Sequence, residues 1–367
     1  MIIDRIEIYK LNVPCKEPFI TSRGISNDAA NLVIRIFTDT GLAGTGECSP
    51  LEYLVGETQA SEYTLAADLA YLLKGKDPLA VEARLLELDR AVKGNTTLKS
   101  AFDMALFDLL AQEAGMPLYK LLGGENNRDI RTDMTVTLDT PERMAGMAHE
   151  YKKAGFPAIK VKLGTNTRDD VARVEAIRDA LGTDMPVRID ANQGWDAVTA
   201  IRTLKALEPY NIEYCEEPIP HWNNRDLVRV RNHSPISIMA DESVFDHRDA
   251  FRLAAMEACD YFNIKLSKSG GIFNALKIID IAEAAGMKTQ VGCMLETRLG
   301  LTALTHLAMA RTNIEHFDID SSFLLAEDPV VGGITYEGKG KWLLPETPGL
   351  GASFDPNFLK KMEKAIV

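Results

Sequence analysis

The sequence predicts an α/β fold: a (β/α)8-type barrel preceded by a small α+β domain, with a tail that returns to that domain. Three observations lead there. After about residue 128, short apolar runs alternate with helical stretches eight times. The polar residues that close those runs recur at a steady interval, as one strand, one helix and two loops require. Before residue 128, strands precede helices without alternation, the pattern of a separate α+β unit. The length of 367 residues allows two domains. Apolar residues make up 46% and charged residues 26%, which excludes a disordered, collagen-like or disulfide-stapled chain.

In the first domain, residues 2–13 and 31–37 read as strands, and Gly41-Leu-Ala-Gly-Thr-Gly-Glu47 punctuates them with turn glycines. From about 60 to 122 the spacing turns helical. Leu98 to Leu122 is the clearest stretch, with Ala101, Ala105, Leu109 and Leu110 on one stripe and a stop at Gly115-Met116-Pro117. The barrel strands are expected at 132–138, 158–162, 186–190, 212–216, 237–241, 261–265, 288–293 and 314–318. They end on Thr135, Lys162, Asp190, Glu216, Asp241, Lys265, Cys293 and Asp318, in steps of 24 to 28 residues. A barrel of this kind places its active site at the C-terminal ends of its strands. The tail after about 325 is rich in turn residues.

Net charge is −12, so a nucleic-acid backbone and an anionic membrane are both disfavoured partners. Five cysteines without a CxxC pair read as reduced thiols. The N-terminus is a charged, alternating strand and not a signal peptide, and no apolar run is long enough to span a membrane. The expected location is cytoplasmic. No HExxH, GxSxG, Walker motif or strand-linked GxGxxG is present.

The strand ends hold the chemistry. Lys160 and Lys162 share one face of the second barrel strand. Inside a barrel, burial and mutual repulsion would lower their pKa values toward a usable base; on an edge strand they would simply be solvated. Asp190, Glu216 and Asp241 end three successive strands, and three converging carboxylates call for a hard divalent cation. Each alone would pass as a helix cap. Lys265 ends the sixth strand, facing the second-strand lysines, and a Schiff-base role is the alternative to proton transfer. Gly270-Gly271 fits either a phosphate loop or close loop packing. Asp318 and Asp320 share a face away from the acid triad, as a cradle for an ammonium group or as an ordinary turn.

Lys160-x-Lys162, Asp190-x-Asn192, Glu216-Glu217-Pro218, Ala240-Asp241-Glu242-Ser243 and Lys265-x-x-x-x-Gly270-Gly271 are the motifs through which the chain resembles the enolase superfamily, muconate-lactonising-enzyme subgroup. The first domain resembles that family's capping domain through Gly44-x-Gly46-Glu47 and Lys99-Ser-Ala-Phe-Asp-x-Ala. The resemblance implies a modified TIM barrel at 126–322, an α+β capping domain at 1–125, and a segment 323–367 returning to the cap. Asp318-x-Asp320, Thr132-Asp-x-Thr135-Val and Glu296-Thr-Arg-Leu-Gly300 narrow it to dipeptide epimerases of the Ala-Glu epimerase type.

That resemblance implies a racemase/epimerase-type isomerase acting on a dipeptide. Lys162 and Lys265 would be the acid–base pair on opposite faces of an enediolate, with Lys160 beside its developing charge. Asp190, Glu216 and Asp241 would hold Mg2+, with Mn2+ as the alternative, supported by Asn192 and Glu242. Asp318 and Asp320 would hold the substrate ammonium, and Thr135, Cys293, Met294 and Leu295 would line the pocket. Loops 19–24 and 51–55 would set side-chain preference through Arg23, Gly24, Tyr53 and Leu54. Family members that take Ala-Glu have an arginine where Gly24 stands, so an apolar side chain is expected instead of glutamate. The alternatives are an o-succinylbenzoate synthase or N-acylamino-acid racemase of the same subgroup and, more remotely, a non-catalytic barrel binding protein. A homo-oligomer is left open.

Overall fold

The computed structural model describes residues 1–127 and 129–367. The first unit is a strand-then-helix assembly. Strands β1 (Ile3–Ile20), β2 (Ile25–Thr38) and β3 (Ala43–Cys48) form an antiparallel sheet. Helices α1 (Glu52–Val55), α2 (Gln59–Leu73), α3 (Val81–Ala91), α4 (Thr96–Glu113) and α5 (Leu118–Leu122) follow. The stretch expected to be only a glycine turn is therefore a strand. Its glycines serve close packing: a Cβ at Gly44 or Gly46 would sit 2.0 or 1.9 Å from a backbone carbonyl of α4. Helix α4 is buried almost all round and not along one stripe, because the cap sheet covers one side and barrel helices another.

Eight parallel strands come next, in chain order across one sheet. They are β4 (Met134–Val136), β5 (Ile159–Lys162), β6 (Val187–Asp190), β7 (Ile212–Glu216), β8 (Ser237–Ala240), β9 (Tyr261–Ile264), β10 (Lys288–Gly292) and β11 (Ile314–Asp318). Each lies within the run the sequence predicted. Asp133 N donates to Phe317 O at 3.0 Å, so the two edge strands meet and the barrel nearly closes. The intervening helices are α6 (Pro141–Ala154), α7 (Thr167–Leu181), α8 (Ala197–Leu207), α9 (Asn224–His233), α10 (His247–Ala255), α11 (Leu266–Ser269), α12 (Ile272–Ala284), α13 (Arg298–Ala310) and α14 (Ser321–Leu324). The strands are buried on both faces, as expected when helices ring a parallel sheet.

The tail forms β12 (Val330–Gly332), β13 (Thr335–Gly338), β14 (Lys341–Leu343), β15 (Ala352–Phe354), α15 (Pro356–Leu359) and β16 (Lys364–Ile366). Strand β16 pairs with β1, which brings the end of the chain onto the cap sheet. Gly270-Gly271 opens α12, but not for a phosphate. The buried Asp103 of α4 accepts from Ile272 N at 2.6 Å and Phe273 N at 3.1 Å, filling the helix N-terminus with a cap carboxylate. A Cβ at Gly271, where φ is +110°, would lie 2.1 Å from that side chain. Among the described residues no helix is long and apolar enough to cross a membrane.

Candidate active site

The pleat of β5 sends Lys160 and Lys162 into the barrel mouth, where both are buried. Their nearest partners are acids, not each other. Lys160 Nζ lies 2.7 Å from Asp318 Oδ2, 2.8 Å from Glu216 Oε2 and 3.4 Å from Asp190 Oδ2. Lys162 Nζ lies 2.6 Å from Asp190 Oδ2, its register partner on β6. Lys265 Nζ lies 2.9 Å from Asp241 Oδ2. This corrects the expectation of a depressed Lys160. Burial pulls its ammonium down, but Asp318, Glu216 and Asp190 outweigh burial and hold it well above the ordinary value. Lys265 is also raised, since Asp241 and Glu216 override its burial.

The three acids are not helix caps. Asp196, Asn223 and Asp246 cap the helices that follow β6, β7 and β8. Asp190, Glu216 and Asp241 sit a few residues earlier, fully buried at the C-terminal ends of adjacent strands. Their surroundings hold them in place. Asn263 Nδ2 and Gln290 Nε2 donate to Glu216 at 2.9 and 3.3 Å. Glu217, at φ +35°, accepts from Asp241 N at 2.7 Å and from Ser243 N at 3.1 Å. Asn192 and Gln193 also have positive φ just after β6, so strain collects at these strand ends.

A divalent cation fits this donor set. Both oxygens of Asp241 are buried without a hydrogen bond, although the ammonium groups of Lys265 and Lys268 lie within ion-pair reach. Asn192 Oδ1 and Glu242 Oε2 are likewise buried without a hydrogen bond, and Asn192 Nδ2 donates to Glu242 Oε1 at 3.4 Å. The donors are all oxygen, which suits Mg2+ or another hard ion. Burial, with Asp241 and Asp190 nearby, pushes Glu242 to about 8.

Asp318 and Asp320 are not remote from the triad, as the sequence had suggested. Barrel closure brings β11 round to β4, and Lys160 joins Asp318 to Glu216 and Asp190. Thr135 N donates to Asp320 Oδ2 at 2.8 Å, and Cys293 Sγ lies 3.7 Å from Asp320 Oδ1. The ligand atoms of Cys293, Asp318 and Asp320 lie within 4.8 Å of one another. Burial and the Asp318 charge push Asp320 up to about 6. Burial also opposes ionisation of Asp318, but Lys160 prevails and lowers it.

These groups surround one cleft at the barrel mouth, part of whose space is open to solvent. Lys160, Lys162, Lys265, Asn192, Asp318 and Asp320 form its polar end. Thr135, Cys293, Met294 and Leu295 line its wall. The cap supplies Phe19, Thr21, Leu51, Tyr53 and Leu54, with the Phe19 ring centroid 5.8 Å from Lys162 Nζ. Arg23 and Gly24 do not line it. Thr21 N donates to Gly24 O at 3.0 Å, closing a tight turn that leaves Arg23 exposed and lays Gly24 on the Tyr53 ring.

The sequence reading also missed Leu324, Lys268, Asn263 and Gln290. Lys268 lies buried one helical turn after Lys265 and donates to carbonyls of Asn263 and Asp241. Its i, i+3 spacing was the available signal. Leu324 and Gln290 carried none, since only barrel closure brings them here.

Residues 5–123 match the family model of the mandelate racemase / muconate lactonizing enzyme N-terminal domain, and 143–358 that of the enolase C-terminal domain-like family. The chain is 47% identical over 367 residues to a D-Ala-D/L-Ala epimerase of Cytophaga hutchinsonii, covering 100% of both. It is similar to the crystal structure of a dipeptide epimerase from that organism complexed with Mg and D-Ala-L-Val, with a TM-score of 0.99, 46% identity and full coverage of both chains. It also resembles a dipeptide epimerase from Enterococcus faecalis V583 complexed with Mg and L-Leu-L-Tyr. There the TM-score is 0.93 and identity 39%, covering 96% of this chain and 100% of that one.

Proposed function

The chain belongs to the enolase superfamily, in its mandelate racemase / muconate lactonizing enzyme group, and from that premise we propose that it is a Mg2+-dependent dipeptide epimerase acting at the C-terminal α-carbon. The observation that carries the reading is the convergence of Lys162, Lys265 and the Asp318–Asp320 pair on one cavity. Relatives with the same architecture have been crystallised with Mg and dipeptides.

Asp318 and Asp320 bind the substrate's α-ammonium, and their buried charge orients the dipeptide with its carboxylate toward the acid triad. Lys162 and Lys265 then flank the α-carbon. One takes the α-proton and the other returns a proton to the opposite face, which inverts the centre. Each such base is worth roughly 10²–10⁴-fold in rate. Lys160 stands beside the carboxylate as it gains negative charge, and a fixed cation there favours the transition state over the ground state. Asp190, Glu216 and Asp241 would hold the metal, which would supply further positive charge at that carboxylate and offset the acids that hold Lys160 and Lys265 in their charged form. Phe19, Leu51, Tyr53 and Leu54 face the C-terminal side chain and, with Arg23 turned outward, the cap loops bring no cation to a γ-carboxylate. An apolar C-terminal residue is therefore preferred.

Incubating L,L-dipeptides that differ at the C-terminal residue with the enzyme and Mg2+ in D2O tests this. Deuterium should enter the C-terminal α-carbon, fastest for Val, Leu or aromatic residues and at least about tenfold slower for Glu. EDTA should stop exchange and Mg2+ restore it. Absence of exchange with every dipeptide would refute the activity; fastest exchange with Glu would refute the side-chain preference alone.

A further inference from the structure

A second hollow, a groove of about 1360 Å3 partly open to solvent, adjoins the catalytic cavity. The two share Phe19, Thr135 and Leu324 as a common wall. The Thr135 part of that wall stands at the ammonium end, since Thr135 N donates to Asp320. The groove beyond is mostly apolar. Met134 is at its base, Met147 and Tyr151 come from α6, and Phe156, Phe323 and Tyr336 form an aromatic cluster. Phe323 and Tyr336 meet edge-on at 4.8 Å, and Phe156 meets Phe323 edge-on at 5.8 Å. Tyr336 is still 42% exposed, so one side of this cluster has no protein neighbour.

The charged groups at the groove do not form a receptor for a charged ligand. Lys16 donates its ammonium to Phe323 O at 2.8 Å. Glu17 and Glu150 stand exposed. The exposed part of the Tyr336 ring instead suits another ring, which it can meet edge-on or offset-stacked.

Building on the epimerase reading, we propose that this groove receives the side chain of the dipeptide's N-terminal residue and selects large apolar, above all aromatic, side chains there. A substrate whose ammonium sits between Asp318 and Asp320 has its N-terminal Cα beside Thr135, at the shared wall. The side chain on that carbon leaves the catalytic cavity at the point where the groove begins. Because the groove is remote from the reacting carbon, its contacts act equally on ground and transition states and appear in KM more than in kcat.

The experiment measures α-proton exchange in D2O with Mg2+ for Gly-L-Leu, L-Ala-L-Leu, L-Leu-L-Leu, L-Phe-L-Leu and L-Lys-L-Leu. The expected result is a kcat/KM at least about tenfold higher for L-Phe-L-Leu than for Gly-L-Leu, mostly through KM. Met147→Trp, which fills the groove, should bring that ratio to within about threefold of unity. Ala154→Trp, at an exposed position of α6 on the groove's edge, should lower it too if the Met147 variant fails to fold. Exchange at similar kcat/KM for Gly and Phe, a lead for Lys over Phe, or a ratio that neither variant moves would each overturn the groove assignment and leave the epimerase reading standing. No exchange with any of the five would bring down both.

Discussion

Lys160 and Lys162 show how far a residue's chemistry depends on what folding brings beside it. Two residues apart on a strand, they suggest mutual repulsion. In the folded protein Lys160 instead faces three carboxylates from β6, β7 and β11, each 30 to 158 positions away in sequence. Strand alternation was legible and told which way both lysines point. The identity of their partners was not, because it depends on the order in which strands close the barrel. If Lys162 and Lys265 serve opposite faces, their variants should differ in kind. Lys162→Ala and Lys265→Ala should each lose epimerisation by about 10³-fold. Each should retain α-proton exchange with one C-terminal epimer only, and with opposite epimers, as read by NMR in D2O. Equal loss of exchange for both epimers in both variants would dismiss the two-face assignment.

At the scale of elements, the barrel strands were legible because alternation between apolar runs and helical stretches repeats without interruption. The acids and lysines at the strand ends followed from that register. Strand β3 was not legible. Gly44 and Gly46 look like turn residues in sequence, yet they let α4 lie against the cap sheet at backbone distance. Gly46→Ala would force its Cβ against the Ala101 carbonyl. We expect it to lower stability by about 3 kcal/mol in urea unfolding, and a loss under about 1 kcal/mol would show that α4 can shift aside. The apparent phosphate loop at Gly270-Gly271 was misleading for the same reason: the carboxylate that fills it comes from α4, 168 positions earlier than Gly271.

Across the whole molecule, buried polar groups of one segment organise another. Glu47 of the cap sheet accepts from Thr297 N, Thr297 Oγ1 and Gly300 N at 2.9, 2.7 and 3.0 Å, and so anchors the start of α13. Asn31 donates to Leu295 O at 2.9 Å, which ties the cavity wall to the cap. His306 on α13 joins three segments. Its Nδ1 accepts from Tyr119 N on α5 at 3.2 Å, and its Nε2 lies 3.1 Å from Leu350 O in the tail. Burial lowers this imidazole to about 4. Its folded value is below the unfolded one, so its contribution is fully present above about pH 6.5 and lost as pH falls toward 4. His306→Gln keeps a donor and an acceptor but does not titrate. Between pH 7 and pH 5 the wild type should lose about 2 kcal/mol more unfolding free energy than this variant. Parallel pH profiles would exclude the role.

The sequence by itself determined the barrel, the face on which each candidate catalytic side chain lies and the family to which the motifs point. These are consequences of local periodicity, which short stretches of chain contain in full. The tertiary structure alone decided that Lys160 joins Asp318 to the acid triad, that Arg23 leaves the pocket, and that Asp103 fills the helix end after Gly271. It also opened an apolar groove beside Thr135. Each of these depends on distances between segments far apart in the chain, and those distances exist only once the barrel has closed and the cap has docked on it.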